Sequence, residues 1–181
     1  MADYYKINKK SNDFTDIHIP RNITHVNIDN NELTSFLGLP NHITHLTCSS
    51  NNITSFEYLP DSVIYLDISF NNLTSFKYMP NSIIKINCAC NYINSFEHIS
   101  RSVKKINITN NKITSFRYLP DTVVKLYCSY NSIDNFEYLP PSVTHIKCNN
   151  NFCYYEFVEL DSDINNIHEY NKIEIKDPGY D

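Results

Sequence analysis

The chain of 181 residues is 41% hydrophobic, enough to bury the core of one ordinary domain, and it is read as one domain. A formal charge of -5 speaks against a protein devoted to holding a nucleic-acid backbone, so any basic surface is local. The opening residues hold no apolar stretch of signal-peptide length and no later segment could span a bilayer, so no membrane is expected and the expected compartment is intracellular.

Glycine occurs only at Gly38 and Gly179, whereas Asn is abundant. Asn is the other residue that tolerates left-handed and turn backbone, so it is expected to carry the turns. In chain order, residues 1–19 form an expected N-terminal cap. They put Asp13 and Asp16 where Leu33 and Phe36 fall one period later, so Ile7, Phe14, Ile17 and Ile19 are expected to close the core irregularly.

Residues 20–153 repeat with a period of 20. Asn recurs at Asn31, Asn51, Asn71, Asn91, Asn111, Asn131 and Asn151, and Phe at Phe36, Phe56, Phe76, Phe96, Phe116 and Phe136. Pro keeps the same phase from Pro20 to Pro140, with Ser100 the one substitution. One unit contains Val63, Leu66, Ile68, Asn71 and Leu73, the L-x-x-L-x-L-x-x-N-x-L pattern. Leu66 and Ile68 alternate inward on a strand of about three residues, so Tyr65, Asp67 and Ser69 point outward. Stacked units set these strands side by side as a parallel sheet, each unit covering the apolar face its neighbour cannot bury alone. The stretch from Thr74 to Pro80 is too short for a helix between two turns, so the other side is expected to be extended or polyproline-like.

This unit, from Leu59-Pro60 through Thr74, resembles the shortest class of leucine-rich repeat, known from bacterial effectors with the unit LPxxLxxLxVxxNxLTxLP. Phe76 stands where that class often has Leu. The resemblance implies a leucine-rich-repeat solenoid, with the parallel sheet on its concave face and few or no helices outside the caps. It also implies that the Asn side chains bond to turn backbone as a ladder. Composition and repeat together are similar to the repeat proteins of large amoeba-infecting viruses, which would make host cytoplasm the working compartment. Residues 154–181 form an expected C-terminal cap and tail, with a helix over 154–170 and a short strand over 173–175.

Four of the six cysteines, Cys48, Cys88, Cys128 and Cys148, take the inward position held elsewhere by Ile28, Ile68 and Ile108, and are read as reduced core residues. Cys153 is read as buried as well, and Cys90 as a turn residue. His25 and His45 share one outward position in adjacent units, which would place their rings about 5 Å apart. With only His42 nearby and no carboxylate or thiolate as third ligand, they are read as solvated surface, and no metal or other cofactor is assigned. No nucleophile meets an orienting base outside the repeat columns, and the residues after the array are too few for a second catalytic domain, so the chain is read as no enzyme. Some effectors of this class do carry a ligase domain there.

The outward strand positions remain as the candidate binding face: His45, Tyr65, Lys85, Lys105, Lys125 and His145 in one column, with Asp67, Tyr127 and Lys147 in the next. In an acidic protein, three stacked lysines framed by tyrosines favour recognition of a protein partner with an acidic or phosphorylated surface. A structural or self-assembling role, as a homo-oligomer formed through convex or end surfaces, is the alternative. Single-stranded nucleic acid on the Lys and Tyr stripe ranks third.

Overall fold

Among the described residues, eight short strands form one parallel sheet with no crossovers, in the order β1 (Tyr5–Lys6), β2 (His25–Asn27), β3 (His45–Thr47), β4 (Tyr65–Asp67), β5 (Lys85–Asn87), β6 (Lys105–Asn107), β7 (Lys125–Tyr127) and β8 (His145–Lys147). The computed structural model describes residues 4–7 and 10–152; Cys153 and the expected C-terminal helix and strand lie outside the described residues. From β2 on, pairing keeps the 20-residue phase: Val26 faces Leu46, which faces Leu66, and so on to Ile146. The middle residue of each of these strands is buried and its two neighbours face outward, as a period of two requires. Among the described residues there is no helix; the convex side is built of extended segments and tight turns.

The core runs the length of the coil. Phe36, Phe56, Phe76, Phe96 and Phe116 are fully buried, while Phe136, near the end of the described array, is only half-buried. Stacking is direct between Phe56 and Phe76 (6.1 Å), Phe76 and Phe96 (6.5 Å), and Phe116 and Phe136 (5.9 Å). Each buried ring contributes roughly 1.5 to 3 kcal/mol. At the start, Ile7, Phe14 and Ile19 are buried and Ile17 packs against them. Phe14 repeats the local geometry of the spine: its carbonyl accepts the amide of Ile17, as that of Phe36 accepts Leu39 and that of Phe56 accepts Leu59.

The Asn column forms the ladder that the family resemblance implies. In Asn71, Nδ2 donates to the carbonyls of Cys48 (3.0 Å), Ile68 (3.2 Å) and Ser69 (3.1 Å), while Oδ1 accepts the amide of Ile53 (2.9 Å). One side chain thus satisfies backbone groups of its own turn and of the preceding unit. The pattern recurs from Asn51 to Asn131.

Two expectations are refined. Asn carries the left-handed turns only in part, and the ladder Asn are not among the residues at positive φ. In the column just before them, such angles belong to Asn30, Asn110 and Asn150 but equally to Ser50, Phe70, Cys90 and Tyr130. A second left-handed column holds Tyr58, Tyr78, His98, Tyr118 and Tyr138, with Gly38 at its head. For a residue with a Cβ this backbone costs about 1 to 2 kcal/mol, which the packed units on either side hold in place. Gly38 is glycine for a further reason, since a Cβ there would lie 2.7 Å from the amide nitrogen of Thr15, where the N-terminal cap crosses. Ser69 is the other: on the outward side with Asp67, it is covered rather than solvated, 5% exposed, its hydroxyl donating to Asp67 Oδ1 (2.7 Å) and hydrogen-bonded to the Ser49 hydroxyl (3.1 Å).

A candidate recognition surface on the sheet

A flat parallel register brings the outward residues of successive strands into contact rung by rung. His25 pairs with His45, His45 with Tyr65, Tyr65 with Lys85, Lys85 with Lys105, Lys105 with Lys125, and Lys125 with His145. At the N-terminal end this becomes a continuous aromatic stack. Tyr4 meets His25 edge-on (5.5 Å), His25 and His45 stack at 4.1 Å with planes 9° apart, and His45 leans on Tyr65 (5.7 Å). The Lys85 ammonium then sits 4.8 Å above the Tyr65 ring. The imidazoles lie closer than the 5 Å strand spacing suggests because both rings turn flat against each other. Hydroxyls hold that orientation: Thr24 bonds Nδ1 of His25 (2.9 Å) and Thr44 bonds Nδ1 of His45 (3.0 Å).

Stacked rings direct their in-plane lone pairs side by side rather than towards a shared point, which is poor geometry for a shared metal. His42 is turned elsewhere, with Nε2 bonded to the carbonyl of Pro20 (3.2 Å). Among the described residues no three His, Cys, Asp or Glu side chains gather as a metal site. Partial burial, with the positive charges of His25 and Lys85 adding to it, holds the His45 imidazole below its ordinary pKa. Burial raises the Tyr65 phenol, helped by the Asp67 carboxylate.

The face is therefore polarised along its length. Asp29 and Asp67 lie towards the aromatic end, whereas Lys85, Lys105, Lys125 and Lys147 lie beyond it. Lys105 stands 5.4 Å from the Tyr127 ring. Among the described residues no carboxylate forms an ion pair with Lys85, Lys105 or Lys125; the salt bridges join Lys10 to Glu32 (2.6 Å) and Glu97 to His98 (3.8 Å). Ammoniums left without counter-charges on adjacent rigid strands are set to receive anionic groups.

Asp67 has a different first task. Its Oδ1 accepts the amide of Ser69 (3.0 Å) and the Ser69 hydroxyl, and its Oδ2 accepts the Asn87 amide (2.8 Å), so both oxygens hold the turn beside β4 and β5. His145 stands exposed on β8 with Nδ1 bonded to the Thr144 hydroxyl (2.8 Å). Three neighbours of the face escaped the sequence: Tyr4, Ile64 and Ile84, which join His45, Tyr65 and Lys85 around an open groove of about 410 Å³. Tyr4 is hidden by phase. Tyr5 pairs with Val26, 21 residues on rather than 20, so the cap strand slips one residue out of the repeat.

Cys48, Cys88 and Cys128 are fully buried free thiols, and Cys148 is partly buried against the same core. Burial pushes the Cys48 and Cys88 thiols well up.

No known family profile matches the sequence, and neither does any curated protein sequence. Among solved structures the chain is similar to YopM from Yersinia enterocolitica WA-314, at 26% identity and a TM-score of 0.63 over 71% of this chain and 29% of that one. It is similar to a Shigella effector leucine-rich-repeat domain at 26% identity, with a TM-score of 0.58 over 74% of this chain and 63% of that one. A YopM structure from Yersinia pestis, at 22% identity, matches in fold, with a TM-score of 0.57 over 74% of this chain and 39% of that one. The chain thus spans less than two thirds of the length of each of these structures. Among the described residues no helix is long and apolar enough to cross a membrane. Sheet, ladder and structural likeness together give the chain the leucine-rich-repeat fold.

Proposed function

We propose that the chain is a non-catalytic scaffold that recognises a protein partner on its concave sheet, by acidic or phosphorylated side chains. The observation that carries this reading is the register of Lys85, Lys105 and Lys125 on three consecutive strands, without carboxylate partners among the described residues and framed by Tyr65 and Tyr127. Strands about 4.8 Å apart set the three ammoniums in a close row, and the flexible lysine stems span the difference to the roughly 6.8 Å between same-face acidic side chains of an extended segment. The groove beside Tyr65, with exposed Ile64 and Ile84 on its wall, adds a place for an apolar anchor next to the acidic run. Effector leucine-rich-repeat domains, to which the chain is similar, generally serve as interaction modules, which supports the same reading. An intracellular setting, in host cytoplasm for a viral protein, would keep its thiols reduced.

The test uses fluorescent peptides of alternating Glu and Leu, with and without phosphoserine. Lys85→Glu, Lys105→Glu and Lys125→Glu combined should leave the fold intact and abolish binding, mainly through slower association. The matched reversal of Glu57, Glu97 and Glu137 on the convex side should leave peptide binding unchanged. Loss of binding in the convex variant alone would assign recognition to the wrong face. Tighter binding of oligo-dT than of either peptide, with a steep salt slope, would move the reading to single-stranded nucleic acid.

A further inference from the structure

The turn on the convex side is filled by Tyr58, Tyr78, His98, Tyr118 and Tyr138, all at φ between 63° and 68°. The four tyrosines are 55 to 59% exposed. Left-handed backbone favours glycine, which the same column has at Gly38 (φ 83°). An aromatic ring here neither fills the core nor suits the backbone. A strained residue repeated five times on the surface needs a use that the fold does not supply.

The residue before each turn alternates in sign: Glu57, Lys77, Glu97, Arg117 and Glu137. Among the described residues no ion pair joins one rung to the next. Instead the cations cap their own neighbours, with Lys77 4.8 Å from the Tyr78 ring and Arg117 5.0 Å from the Tyr118 ring. Among the described residues the alternation therefore builds no charge ladder within the chain, and it is left for something else. Between the His98 and Tyr118 turns, where the smaller ring breaks the tyrosine row, lies a groove of about 640 Å³ lined by Phe96, Arg101 and Asp121 among others.

We infer that this edge is the interface of a homodimer, in which two copies lay their tyrosine rows antiparallel about a two-fold axis through that groove. The pairing follows from the charges. With the axis between the Glu97 and Arg117 rungs, Glu97 faces the partner's Arg117 and Lys77 faces the partner's Glu137, and symmetry repeats each pair. With the axis on the Glu97 rung, Glu57 would face the partner's Glu137, Lys77 the partner's Arg117, and Glu97 its own copy, all of like sign. Both copies share one rung spacing, so the four favourable pairs form together. Three glutamates in the row repel a nucleic acid or an anionic membrane, while a second alternating row complements it. Tyrosines supply the apolar area at low entropic cost.

Sedimentation velocity of the full chain, from about 1 µM to 1 mM at low salt, tests this. The expected result is a concentration-dependent monomer-dimer equilibrium. Tyr78→Gly with Tyr118→Gly should raise the dissociation constant by about tenfold or more while the fold is retained, because glycine suits the left-handed turn. Arg117→Glu and Glu97→Arg should each weaken the dimer, and the two together should restore it, which a purely structural role for either residue does not predict. A monomer at every concentration overturns the inference. So does association untouched by the glycine pair, or a double charge swap no better than its singles. Binding of oligo-dT or anionic vesicles that depends on the tyrosines, without dimer, would give the edge to that ligand instead.

Discussion

His25 and His45 lie ring on ring at 4.1 Å, with Lys85 beyond the next rung, so a proton on His45 meets positive neighbours on a partly buried surface. Its folded pKa is accordingly lower than the ordinary 6.5, and as pH falls the unfolded chain takes up this proton first. The contribution is absent well above that value, where the ring is neutral in both states, and stability declines as pH drops through 6.5 towards the folded pKa. Melting curves from about pH 8 to pH 5 should show this decline, and His45→Gln should flatten it. A variant with the same slope as the parent would show that the imidazole stack does not titrate against the fold.

The thiols should separate by reactivity. Cys88 and Cys90 are two residues apart, yet Cys88 is fully buried, its Sγ donating to the Asn107 carbonyl (3.3 Å), while Cys90 sits in a turn where Asn110 reaches its sulfur (3.4 Å). Thiolate is the reactive form, and burial suppresses it at Cys88. Iodoacetamide treatment of the native protein at mildly alkaline pH, followed by peptide mapping, should label Cys90 well ahead of Cys88 and Cys48. Equal labelling would mean that the array opens far more readily than its packing implies.

Much of this was legible in the sequence, for a physical reason. A solenoid must solve the same burial problem once per turn, so the columns of Leu and Ile, Phe and Asn report the inward positions, the spine and the ladder directly. The register of Lys85, Lys105 and Lys125 followed from the same phase. What the sequence concealed were features set by rotamer or by slippage. The flat stacking of His25 on His45 depends on threonine hydroxyls, and the contact of Tyr4 depends on a one-residue offset in the cap strand. The turning of Lys77 and Arg117 onto their neighbouring rings could not be read from charge alternation, which gives sign without direction.

Phe96 and Phe136 occupy the same column in different surroundings. Phe96 is fully buried, with Phe76 stacked against it, whereas Phe136 is half-buried. Phe96→Ala should cost about 3 to 5 kcal/mol, combining lost burial with a cavity that neighbours on both sides cannot collapse. Phe136→Ala should cost clearly less, since part of its ring is already wet. Urea titrations give both values, and an equal loss would show that the array unfolds as a uniform rod with no softer end.

The ladder makes the sharpest stability prediction, because two asparagines of similar sequence setting differ completely in what they hold. Asn91 is 6% exposed; its Nδ2 donates to the carbonyls of Ile68 (3.0 Å), Cys88 (3.1 Å) and Ala89 (3.3 Å), and its Oδ1 accepts the Leu73 amide (2.9 Å). Asn91→Ala takes one donor from each of three carbonyls, which keep Asn71, Asn111 and the Phe70 amide, and leaves the buried Leu73 amide with no partner, at about 1 to 3 kcal/mol. Asn52 is exposed, and its link to the ladder is its own backbone amide, which donates to the Leu33 carbonyl and survives substitution. Asn52→Ala should therefore stay within about 0.5 kcal/mol of the parent. Asn91→Asp discriminates further, because it keeps an acceptor for Leu73 but sets a carboxylate oxygen against three carbonyls. If hydrogen bonding governs the column, Asn91→Asp should be at least as damaging as Asn91→Ala despite its matching shape. Should the aspartate instead be tolerated at neutral pH, the column would be holding its turns by shape, and the donor half of the ladder would carry little of the fold.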